Sequence, residues 1–186
     1  MRVLAYCWLA PIIGSSARLV NRTIDDQGAE NGSETDIGPQ YEPPDQWRQG
    51  SLCTTCAMHA PTNTDTPGAV VDTSRVFDHT WHDSTYYPGG PEHTITVAFV
   101  GQAVYVFNLI ANTIPNIITT TNLSFSLDGG PATVYYHAPD PNTSDDLLYN
   151  VLVYSNTSLP PGLHQLRIAA GGPTASLVLF DYIIYT

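Results

Sequence analysis

The stretch Asn122-Leu123-Ser124-Phe125-Ser126-Leu127-Asp128-Gly129-Gly130 decides the fold class. Leu123, Phe125 and Leu127 project to one side and Asn122, Ser124 and Ser126 to the other, the period-two pattern of a strand with one dry and one wet face. Asp128-Gly129-Gly130 supplies residues that turn a chain back on itself, and Ala132 to His137 returns from it. Upstream, Thr94 to Val100 alternates Ile95, Val97 and Phe99 with Thr94 and Thr96, and Gly101-Gln102 leads into Ala103 to Ile110 as a tight hairpin. Downstream come Leu147 to Tyr154, Leu163 to Ala170 and Ser176 to Tyr185. With Val20 to Ile24 and Arg75 to Trp81 these make about nine candidate strands. No window carries a 3.6-residue apolar stripe. Many short strands between Gly/Pro turns, without helices, predict an all-β chain of two packed sheets, a jelly-roll β-sandwich. The last strand is apolar on both faces, with Leu177, Leu179, Ile183 and Tyr185 on one and Val178, Phe180, Tyr182 and Ile184 on the other. That predicts a place in the middle of a sheet.

The N-terminal part reads differently. Met1-Arg2, the apolar run Val3 to Gly14 and the small residues Ser15-Ser16-Ala17 form a secretory signal peptide, residues 1–17, leaving 18–186 as a single β-sandwich domain. No second long apolar run follows, so no membrane insertion is expected after cleavage, and the expected location is secreted, extracellular or in a cell wall. Acceptor triplets for N-glycosylation occur at Asn21, Asn31, Asn122, Asn142 and Asn156. Cys7 leaves with the signal, and Cys53 and Cys56 are expected to pair as a disulfide in an oxidising compartment. Residues 25–66 are polar and rich in Gly, Pro, Asp, Glu and Asn. They are expected to be a long, solvated loop region pinned by Tyr41, Trp47 and the cysteine clasp.

Composition excludes several classes of partner. The chain of 186 residues is 42% hydrophobic and 12% charged, enough apolar material for a core. All six Lys+Arg positions are Arg, against 17 Asp+Glu, for a formal net charge of −11. Such a surface lacks a phosphate-neutralising patch and is repelled by anionic lipid, so neither nucleic acid nor a membrane surface is an expected partner.

The order Leu127-Asp128-Gly129, then Leu159-Pro160-Pro161-Gly162-Leu163-His164-Gln165-Leu166-Arg167-Ile168, then Phe180-Asp181-Tyr182 resembles the galactose-binding-like jelly rolls. More closely, the chain resembles a group of secreted or membrane-anchored fungal ectodomains. The matching pieces are Asn21-Arg22-Thr23-Ile24-Asp25-Asp26, Cys53-Thr54-Thr55-Cys56, Thr80-Trp81-His82-Asp83, Ala103-Val104-Tyr105-Val106-Phe107-Asn108 and Phe180-Asp181-Tyr182. The resemblance implies the jelly-roll fold. Through a superfamily of carbohydrate-binding modules, adhesion domains and accessory domains of enzymes, it also implies a binding role without a defined reaction. Members that continue through a Ser-rich linker into a membrane helix differ from this sequence, which stops at Thr186, so anchoring is not carried over.

The densest cluster of functional side chains is Asp78-His79-Thr80-Trp81-His82-Asp83, followed by Tyr86-Tyr87. If residues 76–83 are extended, Phe77, His79 and Trp81 share one face and Asp78, Thr80 and His82 the other. A sugar site needs an aromatic plate for the pyranose face and a few oriented groups for its hydroxyls. Trp81, His82, Asp83 and Tyr86, with Tyr136 and His137, are the candidate ligand-binding residues; the alternative makes Phe77 and Trp81 core anchors and the Asp and His residues turn caps.

Metal chemistry has weaker support. His79 and His82 fall on opposite faces of an extended segment, and Cys53, Cys56 and His59 lack a second Cys-x-x-C. Asp181 lies in an apolar row and needs a partner, which Arg167, a loop backbone N–H or a bound Ca²⁺ would supply. Asn108 is expected to be a satisfied structural amide. No G-x-S-x-G or oxyanion turn marks a nucleophile, and Asp145-Asp146 reads as solvated loop acid. The leading expectation is a non-catalytic, lectin-like carbohydrate-binding module for cell-wall or cell-surface glycan, with no cofactor beyond a structural Ca²⁺. The alternatives are an extracellular glycoprotein that binds protein and, more remotely, a polysaccharide-active enzyme.

Overall fold

Asp128 and Gly129 both adopt left-handed backbone conformations (φ 52° and 68°), and the Gly130 N–H donates to the Leu127 carbonyl at 2.9 Å. Two positive φ values in succession give a turn whose twist matches that of the strands it joins, and Asp and Gly are residues that tolerate them. The computed structural model describes residues 19–29, 38–62 and 68–186, so the signal segment and Asn31 lie outside the described residues. The strands are β1 Arg22–Asp25, β2 Gly28–Ala29, β3 Gln40–Glu42, β4 Arg48–Gln49, β5 Met58–His59, β6 Ala69–Val70, β7 His82–Tyr86 and β8 His93–Gly101. They continue as β9 Val104–Ala111, β10 Thr121–Leu127, β11 Thr133–His137, β12 Leu147–Asn156, β13 Gly162–Ala170 and β14 Ser176–Tyr185.

Two antiparallel sheets pack face to face. One runs β11-β10-β13-β8-β3; the other runs β12-β9-β14-β1-β2, with β7 also paired to β14 and β4 to β7. The protein is therefore an all-β, two-sheet antiparallel sandwich of the jelly-roll type. Ile95, Val97 and Phe99 of β8, Leu123 and Phe125 of β10, and Leu166 and Ile168 of β13 meet Val104, Val106, Val178, Phe180, Ile183 and Tyr185 of the opposite sheet. In β8 and β10 these are the inward positions that the alternation in the sequence marks.

β14 does run through the middle of its sheet, as its two apolar faces require. β9 pairs along one edge, while the other edge is shared, β7 taking Ser176 to Phe180 and β1 taking Tyr182 to Tyr185. The expected parity of this strand needs correction. The register with β9 slips between Phe180 and Tyr182, so Asp181 is an extra residue and the alternation flips across it. Val178, Phe180, Ile183 and Tyr185 consequently share the inter-sheet core, whereas Leu177 and Leu179 face a second core.

Part of the region expected as a solvated loop, residues 25–66, is buried: Met58 joins Val71, Val76 and Trp81 over the outer face of the β9–β14 sheet, against Leu109, Ala111, Leu177 and Leu179. Trp47 sits at the edge of the main core, and Cys53 and Cys56 form the expected disulfide. The expected strand Arg75 to Trp81 is instead two 3-10 turns, Thr73–Arg75 and Phe77–His79. The Asp72 carboxylate starts the first turn by accepting from the Ser74 N–H at 3.1 Å. Asn108 also differs from expectation: it is buried and its Oδ1 has no partner.

The pieces Leu127-Asp128-Gly129 and Gly162-Leu163-His164 prove to be one hydrogen-bonded unit. His164 Nδ1 lies 2.7 Å from Asp128 Oδ2 and its Nε2 lies 2.8 Å from the Pro160 carbonyl, while the Gln165 N–H donates to Asp128 Oδ1 at 2.8 Å. Two acceptors on one ring favour the imidazolium; its bond to Asp128 raises the pKa of His164, while the Gln165 N–H first and His164 second lower that of Asp128. Replacing His164 by Ala leaves the Pro160 carbonyl and the Asp128 carboxylate short of a donor. His164→Ala is expected to lose about 2–3 kcal/mol in urea unfolding at pH 6.

Candidate functional site

The predicted ligand cluster on β7 is mostly internal. Trp81 is 0% and Tyr86 3% exposed, so neither offers a ring face to a ligand. Trp81 anchors the second core, and the Tyr86 hydroxyl donates to the Gly172 carbonyl at 2.8 Å. Asp83 is buried among the same apolar side chains, its Oδ2 unpartnered, and desolvation lifts its pKa to about 7. Tyr136 and His137 belong to β11, in the other sheet, and join none of these residues. His137 Nε2 lies 3.0 Å from Asn112 Oδ1, and Tyr136 is exposed to solvent.

Three pieces of the fungal resemblance do converge. Asp25 ends β1 and Asp26 follows it, Thr80-Trp81 lead into β7 at His82, and Asp181 stands at the bulge of β14 in the gap between those two partners. Asp26 bonds the Thr80 hydroxyl through Oδ1 and His82 Nδ1 through Oδ2, the latter at 2.7 Å. His82 stacks on Tyr41 at 4.1 Å between ring centroids, and the Tyr41 hydroxyl donates to the Asp26 carbonyl at 2.5 Å. Asp181 Oδ1 accepts the Phe77 N–H at 3.1 Å, but its Oδ2 and the Oδ1 of Asp25 have no partner. Burial first, then the neighbouring carboxylates, raise Asp25 to about 7; burial chiefly, with the same neighbours, raises Asp181 to about 8.

Of the partners weighed for Asp181, the loop backbone is the one in contact. Arg167 is engaged elsewhere, its Nη2 2.6 Å from Glu92 Oε2, and the loop N–H of Phe77 is the partner. Among the described residues no three His, Cys, Asp or Glu side chains are grouped to hold a metal ion. The unpartnered oxygens fit protonated carboxyls instead.

An open pocket of about 320 Å³ lies at the sandwich edge where the β3–β4 and β7–β8 connections meet. Pro43, Asp45 and Gln46 come from the first, Thr85, Tyr87, Pro91 and His93 from β7, its loop and the start of β8. Tyr87, one residue beyond the end of β7, is 60% exposed. His93 forms a fixed floor: its Nδ1 lies 2.6 Å from Ser84 Oγ, and that hydroxyl donates its only proton to the Gln46 carbonyl at 2.9 Å. His93 Nδ1 must then be the donor, leaving Nε2 a bare acceptor. Desolvation lowers the His93 pKa and favours this neutral form. Of the pair Tyr86-Tyr87 it is Tyr87, and not the expected Tyr86, that is open to solvent, and nothing in the sequence brings Asp45 and Gln46 to it.

No protein-family model matches the chain, and no curated protein matches its sequence. Among solved structures it is similar to an exo-β-1,3-galactanase from Phanerochaete chrysosporium with β-1,3-galactotriose, at 16% identity over 79% of this chain and 29% of that one, TM-score 0.39. It is also similar to the catalytic domain of Agl-KA, at 11% identity over 91% of this chain and 28% of that one, TM-score 0.47. A family 35 carbohydrate binding module from Clostridium thermocellum matches at 15% identity over 81% of this chain and 99% of that one, TM-score 0.37. The chain spans less than a third of the galactanase and Agl-KA chains. At these identities the likeness concerns the fold alone.

Proposed function

We propose that this protein is a secreted, N-glycosylated, non-catalytic carbohydrate-binding module that takes a neutral cell-wall or cell-surface glycan in the pocket walled by Tyr87. The observation that carries the reading is the pocket itself, an exposed aromatic ring beside Asp45, Gln46 and the bare nitrogen of His93. Tyr87 supplies an apolar plate for a pyranose face, while Asp45 and His93 accept from its hydroxyls and Gln46 both donates and accepts. Charge selects against acidic sugars. No Arg lines the pocket, and the nearby Arg48 commits Nη1 to the carbonyls of Asp45 and Trp47, at 2.7 and 2.8 Å. A uronate there would face Asp45 without a counter-charge.

The test is titration of neutral and uronate-containing oligosaccharides into wild type and Tyr87→Ala. The reading predicts binding of neutral oligosaccharides, weakened about tenfold or more by Tyr87→Ala, from the roughly 1.5 kcal/mol that ring stacking contributes. Equal affinity in the two proteins would remove the pocket from the account.

A further inference from the structure

The outer face of the five-stranded sheet carries an apolar patch that the pocket does not use. Val134 and Tyr136 of β11 are 64% and 60% exposed, and their cross-strand partners on β10 are Ser124 and Asn122. Directly paired residues share a face with side chains about 5 Å apart. Asn122-Leu123-Ser124 is an N-glycosylation acceptor, so the acceptor asparagine and an exposed aromatic ring are immediate neighbours. A groove of about 260 Å³ runs beside them, between Asn122, Ser124, Val134, Ala169 and Gly171-Gly172.

The other described acceptors make side-chain hydrogen bonds, Asn142 through the amide nitrogen to which a glycan links and Asn21 and Asn156 through the amide oxygen. Asn21 Oδ1 accepts from the Thr186 hydroxyl at 2.7 Å, Asn142 Nδ2 donates to Asp140 Oδ1 at 3.3 Å, and Asn156 Oδ1 accepts the Ser158 N–H at 3.1 Å. Among the described residues Asn122 hydrogen-bonds through its backbone, to Ser176 Oγ, and it lines the groove.

We propose that Asn122 carries an N-linked glycan whose innermost N-acetylglucosamine lies along the groove against Tyr136 and Val134, so that this sheet face is covered by the chain's own sugar. The inference rests on the secretory part of the proposed function. Linkage to Asn Nδ2 holds the first sugar ring beside the tyrosine, so stacking costs little further ordering. The pyranose C–H face covers two exposed apolar side chains of β11, and that part of the sheet is thereby withdrawn from free glycan.

The test compares wild type, Asn122→Gln, Tyr136→Ala and the double variant secreted from a eukaryotic host. Glycopeptide mass spectrometry gives occupancy at each acceptor, and thermal unfolding gives the coupling between glycan and ring. Asn122 is expected to be occupied, and Asn122→Gln to lower Tm by about 2–4 °C when Tyr136 is present and by much less in Tyr136→Ala. An unmodified Asn122 in protein glycosylated at Asn21 or Asn156 would overturn the proposal and leave the secretory reading standing. Equal Tm losses in both backgrounds would overturn the stacking. Absence of glycan at every acceptor would overturn this proposal and the secretory reading together, while binding in the Tyr87 pocket is read separately.

Discussion

Raising the pH from 5 to 8 is expected to cost this protein about 3 kcal/mol or more of folding stability, with Asp181→Asn recovering a large part of the loss at pH 8. Asp25, Asp83 and Asp181 are held in the fold with pKa values of about 7, 7 and 8, against an ordinary carboxyl value of 3.8. Between the ordinary value and the raised ones the folded chain holds protons that the unfolded chain releases, so stability falls as pH rises through that window. One fully buried group keeping its proton from pH 5 to 7 accounts for about 3 kcal/mol. Asp83 and Asp181 have the burial for this, while Asp25 and Asp181 repel each other and do not add independently.

Other groups modify the slope without reversing it. His164, raised by Asp128, contributes stability below its ordinary pKa that is lost as pH rises through the folded value, the same direction. His93, lowered by burial, opposes it below about pH 6.5. Asp72 and Asp128, lowered by hydrogen bonds, contribute stability above the ordinary carboxyl pKa, which is lost only in stronger acid. Urea unfolding at pH 5 and pH 8 of wild type, Asp83→Asn and Asp181→Asn checks the account. A wild type more stable at pH 8, or an Asp181→Asn that is less stable there, would show that these carboxyls are ionised and compensated.

Gly50→Ala is expected to be about as damaging as Trp81→Ala, a loss of roughly 3–5 kcal/mol in each case. The Gly50 N–H donates to the Trp81 carbonyl at 2.7 Å, and a Cβ at position 50 would stand 1.9 Å from Trp81 Nε1 and 2.1 Å from Cε2. The indole has nowhere to retreat, because Met58, Val76, Leu177 and Leu179 pack in the same cluster. Trp81→Ala instead opens a cavity beneath the β4–β7 region. Folded fractions of both variants should bind oligosaccharide with wild-type affinity, since Trp81 supports the sheet and does not line the Tyr87 pocket. Calorimetric melting and titration of the soluble variants check both halves, and lost binding in well-folded Trp81→Ala would return Trp81 to the ligand site.

The strands were legible because alternation reports local geometry. Asn122 to Leu127 and Thr94 to Val100 each present a dry face to one core, and β14 displays two dry faces because a cover of short strands and 3-10 turns lies on its far side. The bulge at Asp181 was not legible, since a register slip concerns pairing with β9 and leaves no mark in a single strand. Arg75 to Trp81 reads as extended because Val76, Phe77 and Trp81 suit a strand. The signal against it was Asp72-Thr73-Ser74, whose carboxylate caps a turn.

The chemistry was legible by halves. The resemblance singled out Asp25-Asp26, Thr80 to Asp83 and Asp181, and the fold gathers much of that set at one junction, as a buried hydrogen-bonded joint between β1, β7 and β14. The open pocket depends on tertiary placement. Tyr87 is exposed because the chain leaves β7 at Tyr86, and Pro43, Asp45 and Gln46 reach it from a segment some forty residues earlier.

The most direct test of carbohydrate binding is retention of the secreted, glycan-trimmed protein on a panel of insoluble polysaccharides, with and without a Ca²⁺ chelator, beside Tyr87→Ala. The account predicts saturable retention on at least one neutral polysaccharide, unaffected by the chelator and lost in Tyr87→Ala. Retention on no polysaccharide would contradict it and turn the Tyr87 pocket into a protein-binding surface.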